Sequence, residues 1–357
     1  VGDGAANLSS STQRVSLIEL EVNYDFATES FTQTQSQQID LPFALPGASN
    51  NTGNFSLVGT VGAEGGLNLS TDSNYLTLMG YDGPIGTGSP ASKTPSELNR
   101  VIARVATSNG SVDVSTRLSD ATGSPRSVVS TDGTRFYAGV SGGLKYVSSL
   151  GATTSTLVAS GPAAQTGIVG TTLYHSTWHA TSSVGVYSDG SPLPTASVTP
   201  SQIVGPLSKA GQFRFFDLDS SVAAPNTGGA DTLYVTEDST SATGGIRKYE
   251  WNGSQWVAKG NKVYSAGMSG LSGRVVTDGS GRRRVMLFAV TVGSAENNEF
   301  LGLVDTAGFG LDLSGTYKSI KSAGSDYAFR GVDVVPEPAS LSLLGIACVR
   351  ILQRHRR

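Results

Sequence analysis

The sequence predicts an all-β fold closed as a β-propeller of about six blades, with five or seven as alternatives. Three observations carry this. Strand-like runs bounded by Gly, Asn, Asp and Ser recur along the whole length. They group into units with one internal order: an entry strand, a turn, a second strand ending in an aromatic or Leu pair and, in most, a third strand. The entry strands fall near Leu67, Val128, Ile168, Phe215, Val275 and Phe329, at spacings of 61, 40, 47, 60 and 54 residues. Repeats of that period suit a ring of small sheets, in which stacked blades cover one another's apolar faces and few edges stay exposed. A β-sandwich would also show short strands, but would not need the same order in every unit.

The elements follow from the N-terminus. "RVSLIELEV" and "QSQQIDLP" are two strands without an entry strand. The first full unit runs from Gly65 to Gly83, with its turn at Asp72-Ser73-Asn74. In "PSELNRVIARV", Leu98, Val101, Ile102 and Val105 have helical spacing after Pro95, but the "SNGSVDVSTRL" that follows makes a hairpin the better reading. The second unit, Arg126 to Val147, turns at Asp132-Gly133 and Gly142-Gly143. "TGIVGTTLYHST" is the third. The fourth holds "FRFFDLDSS", "DTLYVTED" and "GGIRKYEWNGSQWV", and the fifth "SGRVVTDGSGRRRVMLFAVT" and "EFLGLVD". "AFRGVDV" is a last entry strand with no further strands behind it. Joined to the two N-terminal strands it makes one blade from both chain ends. That blade lacks its second strand, of which Val1-Gly2 looks like the stub. The natural chain is therefore expected to extend upstream by that strand and a signal peptide.

Composition limits the function. Only 15% of residues are charged and Gly numbers 45, too little charge for a disordered chain and enough glycine for many turns. Up to Glu337 there are 28 acidic and 21 basic residues, so the body is mildly acidic and offers nucleic acid no footprint. Arg282-Arg283-Arg284 reads as a solvated hairpin end. Cys348 is the only cysteine, which excludes an internal disulfide.

The chain divides into a body, 1–334, and a tail, 335–357. The tail opens on Pro336-Glu337-Pro338, which blocks helix entry, and continues from Ala339 to Val349 as an apolar run carrying Leu341, Leu343, Leu344, Ile346 and Val349. Eleven residues of helix span about 16 Å, against roughly 30 Å of bilayer hydrocarbon, so the run is a marginal anchor. Arg354, Arg356 and Arg357 then form a basic end of the kind held on the cytoplasmic side. A docked amphipathic helix would account for the run but not for Pro-Glu-Pro.

These three features in this order resemble the PEP-CTERM sorting signal of bacteria. The resemblance implies recognition by exosortase, a membrane-embedded cysteine transpeptidase. It further implies export, transient inner-membrane retention through the short hydrophobic helix, and release or transfer at the cell surface, commonly in makers of exopolysaccharide. Arg350 inside the run and the shortness of the run depart from the commonest pattern. The Gly-rich body also resembles the propeller-like bodies of some PEP-CTERM proteins, in which a short β-branched strand is expected ahead of a sequence such as Val1 to Gly4.

Chemistry is sparser. His175 and His179 lie four residues apart, and with Glu237 and Asp238 they are the candidates for a propeller funnel; a surface hairpin loop is the competing reading. Trp178 between them could stack on a sugar or simply pack. The acidic loops "STDSN", "STDGT", "FDLDSS", "TEDST" and "VTDGSG" could offer oxygens to Ca²⁺, but none has EF-hand spacing and each is turn chemistry first. No cofactor is expected. Two functions compete. The preferred one is a non-enzymatic surface protein that binds or organises extracellular matrix. The alternative is an extracellular hydrolase or lyase acting on polysaccharide in the funnel. Carboxylates of different blades converging at one mouth would favour the alternative, whereas a mouth of Ser, Thr and Gly would sink it.

Overall fold

The computed structural model describes residues 1–5, 7–178, 184–239, 243–292 and 296–336. Four strands precede the ring: β1 (Thr12–Gln13), β2 (Ser16–Asp25), β3 (Ser30–Asp40) and β4 (Leu57–Val58). β1 pairs with β4, and β2 with β3, both antiparallel. Five four-stranded antiparallel sheets follow in chain order. Blade 1 is β5 (Asn68–Leu69), β6 (Tyr75–Tyr81), β7 (Arg100–Ala106) and β8 (Val112–Leu118). Blade 2 is β9 (Pro125–Ser130), β10 (Phe136–Val140), β11 (Gly143–Val147) and β12 (Thr156–Ala159). Blade 3 is β13 (Gln165–Val169), β14 (Thr172–Ser176), β15 (Val186–Gly190) and β16 (Ser201–Val204). Blade 4 is β17 (Ala210–Phe216), β18 (Thr232–Glu237), β19 (Gly245–Trp251) and β20 (Trp256–Val263). Blade 5 is β21 (Met268–Thr277), β22 (Arg283–Thr291), β23 (Glu299–Asp305) and β24 (Lys318–Ser322).

Sequential four-stranded sheets make this a β-propeller, and the separate sheets exclude a sandwich. Among the described residues, five blades are complete. The expected sixth is not formed as a sheet: Phe329 to Val334 is extended, but no backbone hydrogen bond among the described residues joins it to β2 or β3. The helical spacing in "NRVIARV" is overridden, since Arg100–Ala106 form β7 between β6 and β8. A strand buried on both faces is apolar on successive residues, which imitates an amphipathic helix.

The blade interfaces show why. Met79 and Ile102 pack onto Val128, Phe136 and Ala138 of blade 2. Their sequence neighbours Leu78, Val101 and Ala103 point the other way, to a cluster with Val15, Leu41 and the partly buried Leu17 and Ile39. Successive strand residues face opposite sides, so one short strand supplies two cores. The same arrangement joins Tyr174 and Val186 to Phe213 and Leu233, and Tyr234 and Ile246 to Leu271, Val285 and Leu287.

Each inner strand begins at one end of the ring, as the parallel bridge between Gly66 and Ser127 shows for the first two blades. Below that mouth the axis is filled. Gln212 donates from Nε2 to the Leu67 carbonyl at 2.7 Å and accepts from the Leu271 N–H at 2.8 Å. Asp333 accepts from Leu69 N–H, Ser272 Oγ and Arg214 Nη2 at 2.6, 2.6 and 3.0 Å. A polar network thus crosses the axis below the mouth.

Candidate active site

The mouth collects the starts of the inner strands and the loops between second and third strands, so side chains distant in sequence meet there. Arg126 is the second residue of β9, next to Ser127, whose hydroxyl lies 3.0 Å from that of Thr166 at the equivalent place in blade 3. Its guanidinium lies 5.2 Å from the centre of the Trp178 ring, and Lys209 Nζ lies 5.7 Å from the same ring. Lys209 also reaches Asp238, at 3.8 Å. The row Arg126, Trp178, Lys209 and Asp238 thus draws on blades 2, 3 and 4. A cavity of about 260 Å³ opens beside it, lined by Arg126, Ser141, Pro162, Ala163, Ala164 and Trp178.

Charges in this row are weakly compensated. Among the described residues the Arg126 guanidinium has no ion pair; its neighbour is the indole face. Burial lowers its pKa, although an arginine stays cationic throughout. Burial raises the Asp238 pKa, and the Lys209 charge opposes this. Behind Arg126 lies Glu64, buried in the glycine-rich turn ahead of β5. It accepts from the Val58 N–H at 2.9 Å and the Tyr81 hydroxyl at 2.8 Å. Burial pushes its pKa up to about 7 against those two bonds and the nearby Arg126 and Arg330.

Glu64 gives a measurable pH dependence. Between the ordinary carboxyl value near 4.5 and about 7, the folded chain keeps a proton that the unfolded chain has lost. Stability therefore declines as pH rises through this window, by roughly 3 kcal/mol in all. Urea midpoints from pH 4 to 8 should show the decline in the native chain and a flatter profile in Glu64→Gln. Parallel profiles would show that Glu64 does not titrate there.

The residues expected from sequence are divided by the structure. Asp238 reaches the mouth, as does Trp178. Glu237 is buried and tied, accepting from the Ser208 N–H at 2.6 Å and pairing with Arg247. His175 is buried inside blade 3, its Nδ1 2.8 Å from Asp189 Oδ2 and its ring stacked on Tyr187. His179 lies outside the described residues, as do Glu337, Pro338 and the apolar and basic parts of the tail; Pro336 is described and exposed. Among the described residues no helix is long and apolar enough to cross a membrane.

Three of the acidic loops use their carboxylates locally: Asp72 accepts from Ser70 and Asn74, Asp132 from Thr134, and Asp278 from Ser280. Arg283 and Arg284 pair with Asp217 and Asp278. Among the described residues, no three His, Cys, Asp or Glu side chains are grouped to hold a metal ion. Sequence reading missed Arg126, Lys209 and Glu64. The usable signal was position, because Arg126 precedes Ser127 at the mouth end of its inner strand as Gln165 precedes Thr166 in the next blade.

No protein-family model and no curated protein matches the chain. Solved structures do. A gluconolactonase of Xanthomonas campestris is 12% identical, covering 82% of this chain and 89% of its own, at a TM-score of 0.45. A putative 6-phosphogluconolactonase of Bacteroides fragilis is 10% identical over 87% and 82%, at 0.46. Hydrazine synthase of Kuenenia stuttgartiensis is 12% identical over 75% and 68%, at 0.38. The preference for a non-enzymatic binding role is corrected at this point. The finding that overturns it is the mouth itself, which holds charged groups around an indole in place of Ser, Thr and Gly alone.

Proposed function

We propose that the body is an exported polysaccharide lyase or hydrolase working at the ring mouth on an acidic sugar, with elimination as the reaction. One observation carries this: Arg126 is a desolvated cation without an ion pair among the described residues, beside a cavity and against an indole. A guanidinium in that state suits a carboxylate, which it can hold through two parallel N–H donors. Trp178 offers a face for the sugar ring, and Lys209 a second cation. Pairing a uronate carboxylate with these cations acidifies the adjacent C–H. Asp238, raised by burial and lightly paired, takes that proton. The electron pair left behind forms a C=C bond as the neighbouring C–O bond to the leaving sugar breaks, and the leaving oxygen takes a proton from water. Elimination is preferred to glycoside hydrolysis because the latter usually needs two free carboxyl groups, and Glu237 is tied to Arg247.

The tail supports the rest of the reading. Pro336-Glu337-Pro338 with the apolar run and basic end is proposed to direct export, exosortase processing and delivery to the cell surface or medium, where extracellular polysaccharide is the substrate at hand. The test is incubation of the purified chain with polyuronates, following the ultraviolet absorbance of unsaturated uronate together with new reducing ends. Both signals together support elimination. Reducing ends alone would move the same mouth to hydrolysis, and neither signal on any acidic polysaccharide would sink the proposal.

A further inference from the structure

Between blade 5 and blade 1 lie two elements that do not pair with each other. One is the extended segment Phe329 to Val334, whose Phe329, Val332 and Val334 pack on Met286, Phe288 and Val290. The other is the β2–β3 hairpin, whose Leu20 and Val22 pack on the same cluster, while Leu17 and Ile39 join the cluster on blade 1. They occupy the places of an innermost strand and of an outer pair. The place between them, that of a second strand, has no strand among the described residues.

The gap is one strand wide at its upper end. Val1 exchanges two backbone hydrogen bonds with Ala328, at 2.8 and 2.9 Å, and the Gly2 N–H donates to the Arg14 carbonyl at 3.1 Å. A single residue pair therefore bridges both edges, and the direction is antiparallel to each. Below it no strand covers the edges: among the described residues, no backbone hydrogen bond joins Phe329 or residues 331–334 to another strand, the Phe329 backbone being held by the Asn298 side chain and the Val334 N–H by Ser272 Oγ, and β2 pairs on one side only. Open edges between two covered faces are not a resting state for a sheet, since each unpaired backbone group that is shielded from water costs free energy.

We propose that this gap seats one more β-strand, joined to the chain ahead of Val1, and that with it the ring closes as a sixth blade. The register follows from the Val1–Ala328 pair. The residue before Val1 would face Phe329, and the sixth residue before it Val334, with residues 16 to 21 along the other edge. Alternate side chains would point to Met286, Phe288 and Val290 on one side and toward Leu76 and Leu78 on the other. The strand is therefore apolar and β-branched on both faces, like β6 and β7.

The experiment compares three proteins: the chain beginning at Val1, the chain preceded by Val-Thr-Val-Ile-Val-Thr, and the chain preceded by six Gly and Ser residues. Thermal unfolding, amide exchange and size exclusion are read for each. The apolar extension should raise Tm by several degrees and slow exchange at Gly331, Val332 and the open edge of β2 by ~10-fold or more, with the Gly-Ser chain unchanged. Equal behaviour of the two extensions would overturn the proposal. So would full protection of these amides in the chain beginning at Val1. A dimer of that chain with a protected β2 edge would also overturn it, because the occupant would then be a second copy.

Discussion

Arg126→Ala should lower kcat/KM on an acidic polysaccharide by about 100-fold or more while leaving the fold intact. Removing one preorganised donor from a site that stabilises developing charge typically costs that much. The loss should fall mainly on kcat, because neutralising the substrate carboxylate matters most as the adjacent carbon gives up its proton. Stability should hardly move. Among the described residues Arg126 has no ion pair, and its contact with Trp178 is worth about 1 kcal/mol. Arg126→Lys separates charge from geometry: it keeps the cation and loses the planar fork, so it should recover only a small part of the activity. Steady-state kinetics with urea unfolding on both variants decides the matter. Wild-type turnover in Arg126→Ala would remove this residue from the reaction. A matching collapse of stability would make it a packing residue.

The ring was legible because its physics is local and repeated. Strand alternation and turn chemistry at Asp72, Asp132 and Asp278 recur in each unit, and those carboxylates do cap the turns they were read as making. Inter-blade packing was less plain, because a strand apolar on both faces, such as β7, has the spacing of an amphipathic helix. The site was much less so. Asp238 was visible as a candidate for the funnel and Trp178 as a residue able to stack on a sugar, but the pairing of Trp178 with Arg126 and Lys209 joins three blades. Sequence spacing cannot show such proximity, because it depends on how the blades are stacked around the axis. The partner of His175 was hidden for the same reason. His175 faces Asp189 across a strand pair, a partner fixed by the register of β14 on β15 and its bulge, and no spacing rule points to it.

Lys248 gives the second large effect, on stability. Its ammonium is fully buried in blade 4, 2.9 Å from Glu250 and 3.0 Å from Asp305 of blade 5, and it donates to the Leu311 carbonyl at 3.0 Å. Asp305 accepts from the Tyr234 hydroxyl at 2.6 Å and from the N–H groups of Ala307 and Ser314, so one carboxylate ties β18, β19 and the loop after β23. Lys248→Met preserves most of the volume and removes the charge. Two carboxylates are then left buried with one fewer cation, and breaking such a set costs about 3–5 kcal/mol. The penalty comes from the stranded charges, so it should shrink when one of them is neutralised. Lys248→Met combined with Asp305→Asn should therefore be less damaging than the sum of the single variants, by 1 kcal/mol or more. Urea unfolding of the four proteins in this cycle measures both quantities. Additive losses would mean that Lys248 acts only through its carbonyl contacts, and a cost for Lys248→Met below ~1 kcal/mol would mean that water reaches the carboxylates once the ammonium is gone.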